Sequence, residues 1–417
     1  MPFNDLGRRG FIVGATAAVG AVATSGSAFA QGDFKLMEAT VADIHDAYRR
    51  RRLTCRQLVQ QYLDRIAAYD KQGPTLKAII TVNPHALEVA DELDRKYRRS
   101  GLTGPLHGIP VILKDNYDTF DLPTTGGNTA MRTSVPPDDA TAVAKLRKAG
   151  AIILAKANLQ EFARGGNSLS SLGGQVLNPY DLGRTPGGSS GGTGAAIAAN
   201  FAVLGTGSDT GQSVRSPASA CSLVGVRPTR GLISRQGVIP NSITQDELGP
   251  ITRTVEDAAR MLDVMAGFDP ADPVTGYGVG RAPKSYTAGL RRDALRGARI
   301  GVMTNLFGTE ARHQEVNRVM DGVSAKMQAQ GATIIRFSLP AYDALQGIVV
   351  TSNWEAHTAM DSYFASLGPD APVHTFNQLV ASKTATPEVQ ASLEAELAIA
   401  DGLNNPVYED HYVNREK

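Results

Sequence analysis

Short apolar runs recur along the chain, and segments with helical periodicity separate them, an alternation that restricts the fold to layered α/β architectures. Residues 77–82 (KAIITV), 109–113 (IPVIL) and 151–155 (AIILA) read as strands, the first a buried one. Between them, 85–99 reads as a charged helix ending at Gly101, and 139–149 as a helix ending at Gly150. Thr40-x-x-Asp43 and Thr54-x-x-Gln57 look like helix starts, the second a capping box by its residues. Leu58, Tyr62, Ile66 and Tyr69 follow the second start at helical spacing. Further on, 194–199 reads as a small-residue helix and 201–205 (FAVLG) as a strand leading into Thr206–Ser213. The pattern then repeats: helix 255–265, strand 300–303, helix 314–330, strand 333–337, and a mainly helical stretch beyond Pro340.

The composition suits a globular enzyme, with 42% apolar and 20% charged residues. The formal charge is +1 and the longest basic run is Arg49–Arg52, which gives no support for nucleic-acid binding. Seven histidines are scattered and two cysteines stand far apart, so no metal site is expected. Cys55 and Cys221 are read as buried thiols rather than a disulfide. No internal repeat or low-complexity linker divides the chain, and residues 31–417 are read as one domain.

The first 30 residues are read as a targeting segment. Gly7-Arg8-Arg9-Gly10-Phe11-Ile12 is a twin-arginine pattern, a weakly apolar run follows to about Ala23, and Ala28-Phe29-Ala30 supplies a small-x-small cleavage site. Export to the periplasm is the expectation. The apolar run is too short and glycine-rich for a membrane span, and no other segment approaches one.

Glycine is abundant, 43 residues, and clusters between Gly165 and Gly211. Gly187-Gly188-Ser189-Ser190-Gly191-Gly192 lets backbone turn sharply and approach a ligand closely. Gly188–Gly192 also spells G-x-S-x-G, but a nucleophile elbow needs an apolar strand before it, and Asp181-Leu182-Gly183-Arg184-Thr185-Pro186 cannot be one. A phosphate loop fails as well, because no Lys-Ser or Lys-Thr follows the glycines.

A second block follows, Gly205-Thr206-Gly207-Ser208-Asp209-Thr210-Gly211-Gln212-Ser213-Val214-Arg215-Ser216-Pro217-Ala218. Together the two blocks resemble the signature of the amidase signature family, G-G-S-S-G-G followed by D-x-G-x-S-[V/I]-R-x-P-A. The resemblance extends to Pro105–Val111 with Lys114-Asp115-Asn116, to Lys156-x-Asn158-x-x-Glu161-Phe162-Ala163, and downstream through Asp246-x-x-Gly249-Pro250 and Arg253-Thr254-Val255-x-Asp257. It covers roughly residues 38–340. The fold it implies is a mixed β-sheet core covered by helices on both faces.

The resemblance also implies roles. Ser213 matches the nucleophile, Lys114 the base, and Ser189 the relay between them, reached through a cis peptide after Gly188. A serine hydroxyl is a weak nucleophile until a base takes its proton, and a lysine can be that base only when desolvation brings its pKa down from about 10.4. Backbone N–H groups of Thr210, Gly211, Gln212 and Ser213 would form the oxyanion hole. Thr125, Gly126, Gly127 and Asn128, in the run from Thr124, are expected to line the substrate site. Asp209 and Arg215 are read as a structural ion pair and His107 as a structural histidine. No histidine is required, which separates this pattern from a Ser-His-Asp enzyme.

Two departures from the family stand out. Gln212 occupies a position that often holds a third small residue, and is expected to alter selectivity. Family members also usually continue further, returning strands and a helix to the sheet, so a C-terminal part is expected to be missing after Lys417. The leading function is hydrolysis of a small-molecule amide without a cofactor, with room for a homo-oligomer. The alternatives are a glutamine-hydrolysing subunit of a tRNA amidotransferase and a non-catalytic amidase-like binding protein.

Overall fold

A computed structural model describes residues 34–416. The twin-arginine segment lies outside the described residues. Two helices open the described chain, α1 (Val41–Arg49) and α2 (Cys55–Ile66), and both begin with a complete capping box, Thr40 with Asp43 and Thr54 with Gln57. Strand β1 (Ile79–Val82), helix α3 (Ala86–Ser100), strand β2 (Pro110–Lys114), helix α4 (Thr141–Lys148) and strand β3 (Ile152–Ala157) follow. Gly101, at φ +71°, ends α3 in a conformation that side chains resist. A small hairpin, β4 (Leu169–Ser170) with β5 (Gly174–Gln175), precedes helix α5 (Gly191–Ala198) and strand β6 (Leu204–Asp209). Helix α6 (Arg215–Ala220), the short strand β7 (Val224–Gly225), strand β8 (Glu247–Thr252) and helix α7 (Val255–Met265) complete the central layers.

Six strands form one mixed sheet in the order β1-β3-β2-β6-β8-β7. Strand β2 runs parallel to both β3 and β6, while β1 and β8 pair antiparallel to their neighbours. The crossover β2-α4-β3 moves one way along the sheet, and β3-α5-β6 moves back past β2. Right-handed crossovers in opposite directions put α4 and α5 on opposite faces. The reversal also makes the carboxyl ends of β2 and β6 a topological switch point, where ligands bind in open α/β sheets. One apolar core joins the sheet to α1–α5 and α7, including the fully buried β2 and β3.

The remaining chain forms two further units. Strands β9 (Arg299–Met303) and β10 (Thr333–Phe337) pair parallel with each other, with helix α8 (Gln314–Ala329) between them in sequence. They form a sheet of their own, apart from the central one. After α9 (Tyr342–Gly347), helices α10 (Ser352–Ser366), α11 (Phe376–Ala381), α12 (Pro387–Leu397) and α13 (Pro406–Glu416) make a helical lobe. A second apolar cluster centres on α10–α12, and Met131, Phe162 and Ile239 from the main body join it.

Several expectations need correction. Strand β1 begins at Ile79 and lies at the sheet edge, so only Ile79 of its four residues is buried. Strand β6 covers 204–209 rather than 201–205, and its glycines admit close neighbours: α5 packs on Gly205, and Ser190 and Val214 on Gly207. A Cβ at Gly205 would lie 2.4 Å from the Thr193 methyl. Helix α5 starts at Gly191 rather than Gly194, since burial of the Gly-Gly turn outweighs its poor helix propensity. Strand β8 carries Gly249 and Pro250 in its middle, a sequence that argues against a strand. It forms nevertheless, and a Cβ at Gly249 would strike the Val226 carbonyl at 1.9 Å.

Candidate active site

Strand β2 ends at Lys114, and the neighbouring parallel strand β6 carries Ser208 near its own carboxyl end. Lys114 is fully buried, and its Nζ donates to Ser189 Oγ at 2.7 Å and to Ser208 Oγ at 2.9 Å, with the Ser208 carbonyl at 3.4 Å. Every close partner is neutral. Burial pushes the Lys114 ammonium down to about 7, against the opposing pull of the Asp246 and Asp209 carboxylates. A lysine so placed exchanges its proton near neutrality, which a surface lysine does not.

Ser189 sits on the loop before α5, and the Gly188–Ser189 peptide is cis. Ser168 braces this turn: its Oγ donates to the Gly187 carbonyl at 2.8 Å and accepts from the Gly191 N–H at 2.9 Å. The Ser189 carbonyl accepts from Gln160 N–H at 2.9 Å. The next residue reaches the nucleophile candidate directly, with Ser190 N–H donating to the Ser213 carbonyl at 3.3 Å. Lys114, Ser189 and Ser213, distant in sequence, thus come from one strand end and two linked loops, and all three are buried.

The loop between β6 and α6 is held from both ends. Asp209 accepts from Val214 N–H at 3.0 Å and pairs with the guanidinium groups of Arg215 and Arg227. Burial alone would raise the Asp209 pKa, but bonds from the Arg215 side chain and Val214 N–H, with both arginine charges, hold it below the usual carboxylate range. Asp209 and Arg215 therefore form the expected ion pair. On the other side, Thr210 Oγ1 donates to the buried Asp246 at 2.5 Å. Among the described residues, no protein acceptor engages the N–H groups of Gly211, Gln212 or Ser213. Gly211 and Gln212 are exposed, and the Gln212 amide lies against Gly166, where an added Cβ would come within 2.9 Å.

The expected lining residues are buried beside this loop system. Thr125 donates its hydroxyl to Asp115, which also forms a buried ion pair with Lys156 at 3.2 Å. Gly126 and Gly127 take positive φ, and Gly126 N–H bonds the Asp115 carbonyl at 2.9 Å. Asn128 donates to Glu161 at 2.9 Å and accepts from Thr384 of the helical lobe at 2.9 Å. Both side chains, Thr125 and Asn128, are thus committed to protein partners, and backbone is what this stretch has to offer a ligand. His107 lies at the other end of β2, one ring nitrogen against the Thr103 hydroxyl at 2.8 Å. Both cysteines are free and buried, and burial pushes the Cys221 thiol up to about 12. Among the described residues no cluster of His, Cys, Asp or Glu is arranged for a metal, and no helix is long and apolar enough to cross a membrane.

Sequence reasoning missed Ser208 and Ser168. Both are ordinary serines by themselves, and only strand pairing and loop closure bring them to Lys114 and the Ser189 turn. The alternation along β6, with Thr206 and Ser208 on one face and Asp209 on the other, is the one signal the sequence held for Ser208.

A family model described as "Amidase" matches residues 57–417. The chain belongs to the amidase family. Among solved structures it is similar to the native peptide amidase of Stenotrophomonas maltophilia, with 38% identity, a TM-score of 0.84, and 91% of this chain and 78% of that one covered. It is also similar to an amidase family protein from Bacillus anthracis, at 31% identity and a TM-score of 0.81, covering 92% of this chain and 77% of that one. Among curated relatives, a glutamyl-tRNA(Gln) amidotransferase subunit from Geobacter sp. (strain M21) is 40% identical over 329 residues, 78% of this chain. The chain spans 66% of that relative's length. The corresponding subunit from Thermotoga maritima is similar in structure, with 29% identity and a TM-score of 0.65, covering 88% of this chain and 74% of that one. The mixed sheet and its helical layers agree with the fold the signature implied.

Proposed function

We propose that the protein is a serine amidase that cleaves a carbon–nitrogen bond through an acyl-enzyme on Ser213. The observation that carries this reading is the buried Lys114 amine, brought near neutral pKa and bonded to Ser189 Oγ at 2.7 Å. In this mechanism neutral Lys114 accepts a proton from Ser189 as Ser189 takes one from Ser213, and the Ser213 oxygen attacks the amide carbon. The oxyanion is stabilised by the open N–H groups of the 210–213 loop, each donor typically worth ~3 kcal/mol. The proton returns from Lys114 through Ser189 to the leaving amine, and water then releases the acyl group by the same route. A panel of aliphatic, aryl and peptide amides, with the purified protein and Ser213→Ala, tests the reading. Amide hydrolysis abolished in Ser213→Ala supports it, and equal hydrolysis in that variant rejects it.

A second reading has a specific observation behind it. The Geobacter relative, at 40% identity, belongs to an amidotransferase. The structural likeness favours free amide hydrolysis, because the TM-score is 0.84 to the peptide amidase and 0.65 to the Thermotoga amidotransferase protein. Glutaminase activity exceeding that on every other amide would reverse this preference. The twin-arginine pattern of residues 7–12 supports a periplasmic setting for the reaction, and cell fractionation with an antibody to the protein tests it.

A further inference from the structure

The helical lobe after residue 350 bonds the segment 242–245, which in turn supports the oxyanion loop: Thr351 meets Thr244 Oγ1 at 2.6 Å and Gln245 Oε1 at 3.0 Å, and Glu355 makes the densest set of contacts. Glu355, in α10, is fully buried. Its carboxylate accepts from Ser242 Oγ at 2.5 Å, from Thr244 N–H at 3.1 Å and from Thr244 Oγ1 at 2.7 Å. Tyr408 of α13 donates to it at 3.2 Å. The segment gripped in this way is gripped again from the opposite side. Asp246 accepts from the backbone N–H groups of Asn241 at 2.7 Å and Ser242 at 2.8 Å, and its other oxygen receives the Thr210 hydroxyl. Asn241 adds a bond from its amide to the same hydroxyl at 3.3 Å. Ser242 therefore bridges two buried carboxylates, donating its hydroxyl to Glu355 and its N–H to Asp246.

We propose that Glu355 is a positioning residue for catalysis, fixing the oxyanion loop through Ser242, Asp246 and Thr210. This inference rests on the oxyanion role given to residues 210–213 above. A donor array serves a transition state only when it is already aimed, and misplacement by about 1 Å costs on the order of a hundredfold in rate. Asp246 and Asn241 hold the Thr210 hydroxyl, and both belong to the segment that Glu355 grips. The lobe is also pinned near the site by Thr386 N–H to Glu161 at 2.7 Å and Tyr363 to Asp118 at 2.7 Å, so removing Glu355 loosens one contact rather than the whole lobe.

The test compares Glu355→Ala and Glu355→Gln with Tyr408→Phe, which removes a hydroxyl from the lobe side of Glu355 and leaves the 241–246 bonds intact. Amide hydrolysis is measured as kcat and KM, and hydrogen exchange is followed at the bonded amides that brace the oxyanion loop, Val214 (to Asp209) and Ser216 (to the Gln212 carbonyl), with α2 as internal reference. The expected result is a kcat about ten- to a hundredfold lower in Glu355→Ala with KM changed less than about threefold. Exchange at Val214 and Ser216 is faster while α2 is unchanged, Glu355→Gln falls between, and Tyr408→Phe matches the parent. Unchanged exchange at Val214 and Ser216 in both Glu355 variants overturns the inference, as does an equal loss in Tyr408→Phe. Should Ser213→Ala retain full hydrolysis, the amidase mechanism fails on its own account, and the exchange measurement still decides the role of Glu355.

Discussion

At the scale of single residues, the proposed mechanism turns on the protonation of Lys114. The amine works as a base only when neutral, and burial places its pKa at about 7. Activity is therefore expected to rise with pH through an acid limb near 7, measured as kcat/KM across pH 5 to 9. Stability follows the same group in the same direction, over a higher pH window. Between about 7 and 10.5 the unfolded chain holds a proton on this lysine that the folded chain has released. Its contribution to stability thus rises with pH across that window, at ~1.4 kcal/mol per unit of separation, and is poorest below it. Lys114→Met is expected to lose at least about a hundredfold in kcat and to gain more melting temperature, relative to the parent, at pH 6 than at pH 10. Ser208→Ala removes one of the two hydroxyls that seat the amine and is expected to cost about tenfold in kcat with little change in KM. That Lys114 meets Ser189, and that the loops of Ser189 and Ser213 are linked, was expected from the sequence because the signature spaces these residues jointly. Ser208 was not, since its role depends on β6 lying beside β2.

At the scale of elements, close approach governs what the sequence shows and hides. The capping boxes of α1 and α2 are local, so Thr40 and Thr54 announced them directly. Strand β8 was hidden because Gly249 and Pro250 break its pattern, and its pairing with β6 and β7 supplies what local preference lacks. The same tight packing makes Gly205 a sensitive position. A methyl there would lie 2.4 Å from the Thr193 methyl and 3.0 Å from Ile197. Gly205→Ala is expected to destabilise the protein by about 1–3 kcal/mol through overpacking between α5 and β6, read as a lowered midpoint in urea.

At the scale of the whole molecule, stability is unevenly distributed. Strands β2, β3, β6 and β8 are buried along their full lengths, whereas α8, β9 and β10 have no buried residue. Leu306, Val316, Val319 and Phe337 all present substantial apolar surface there. Backbone exchange in residues 299–337 is expected to outpace that of β2 and β6 by orders of magnitude, because opening this unit exposes little further apolar surface. The sequence showed these strands and the helix between them, but not that they would pair only with each other. Periodicity is a local property, and the choice of neighbour is not.

The proposed mechanism stands most directly on the chemistry of one hydroxyl. Incubation with a fluorophosphonate probe, followed by intact-mass and tandem mass spectrometry, reads which residue is activated. A single adduct on Ser213, absent in Ser213→Ala and slowed at least about a hundredfold in Lys114→Met, is the predicted result. An adduct on another residue, or labelling of Ser213 at an undiminished rate in Lys114→Met, would contradict it.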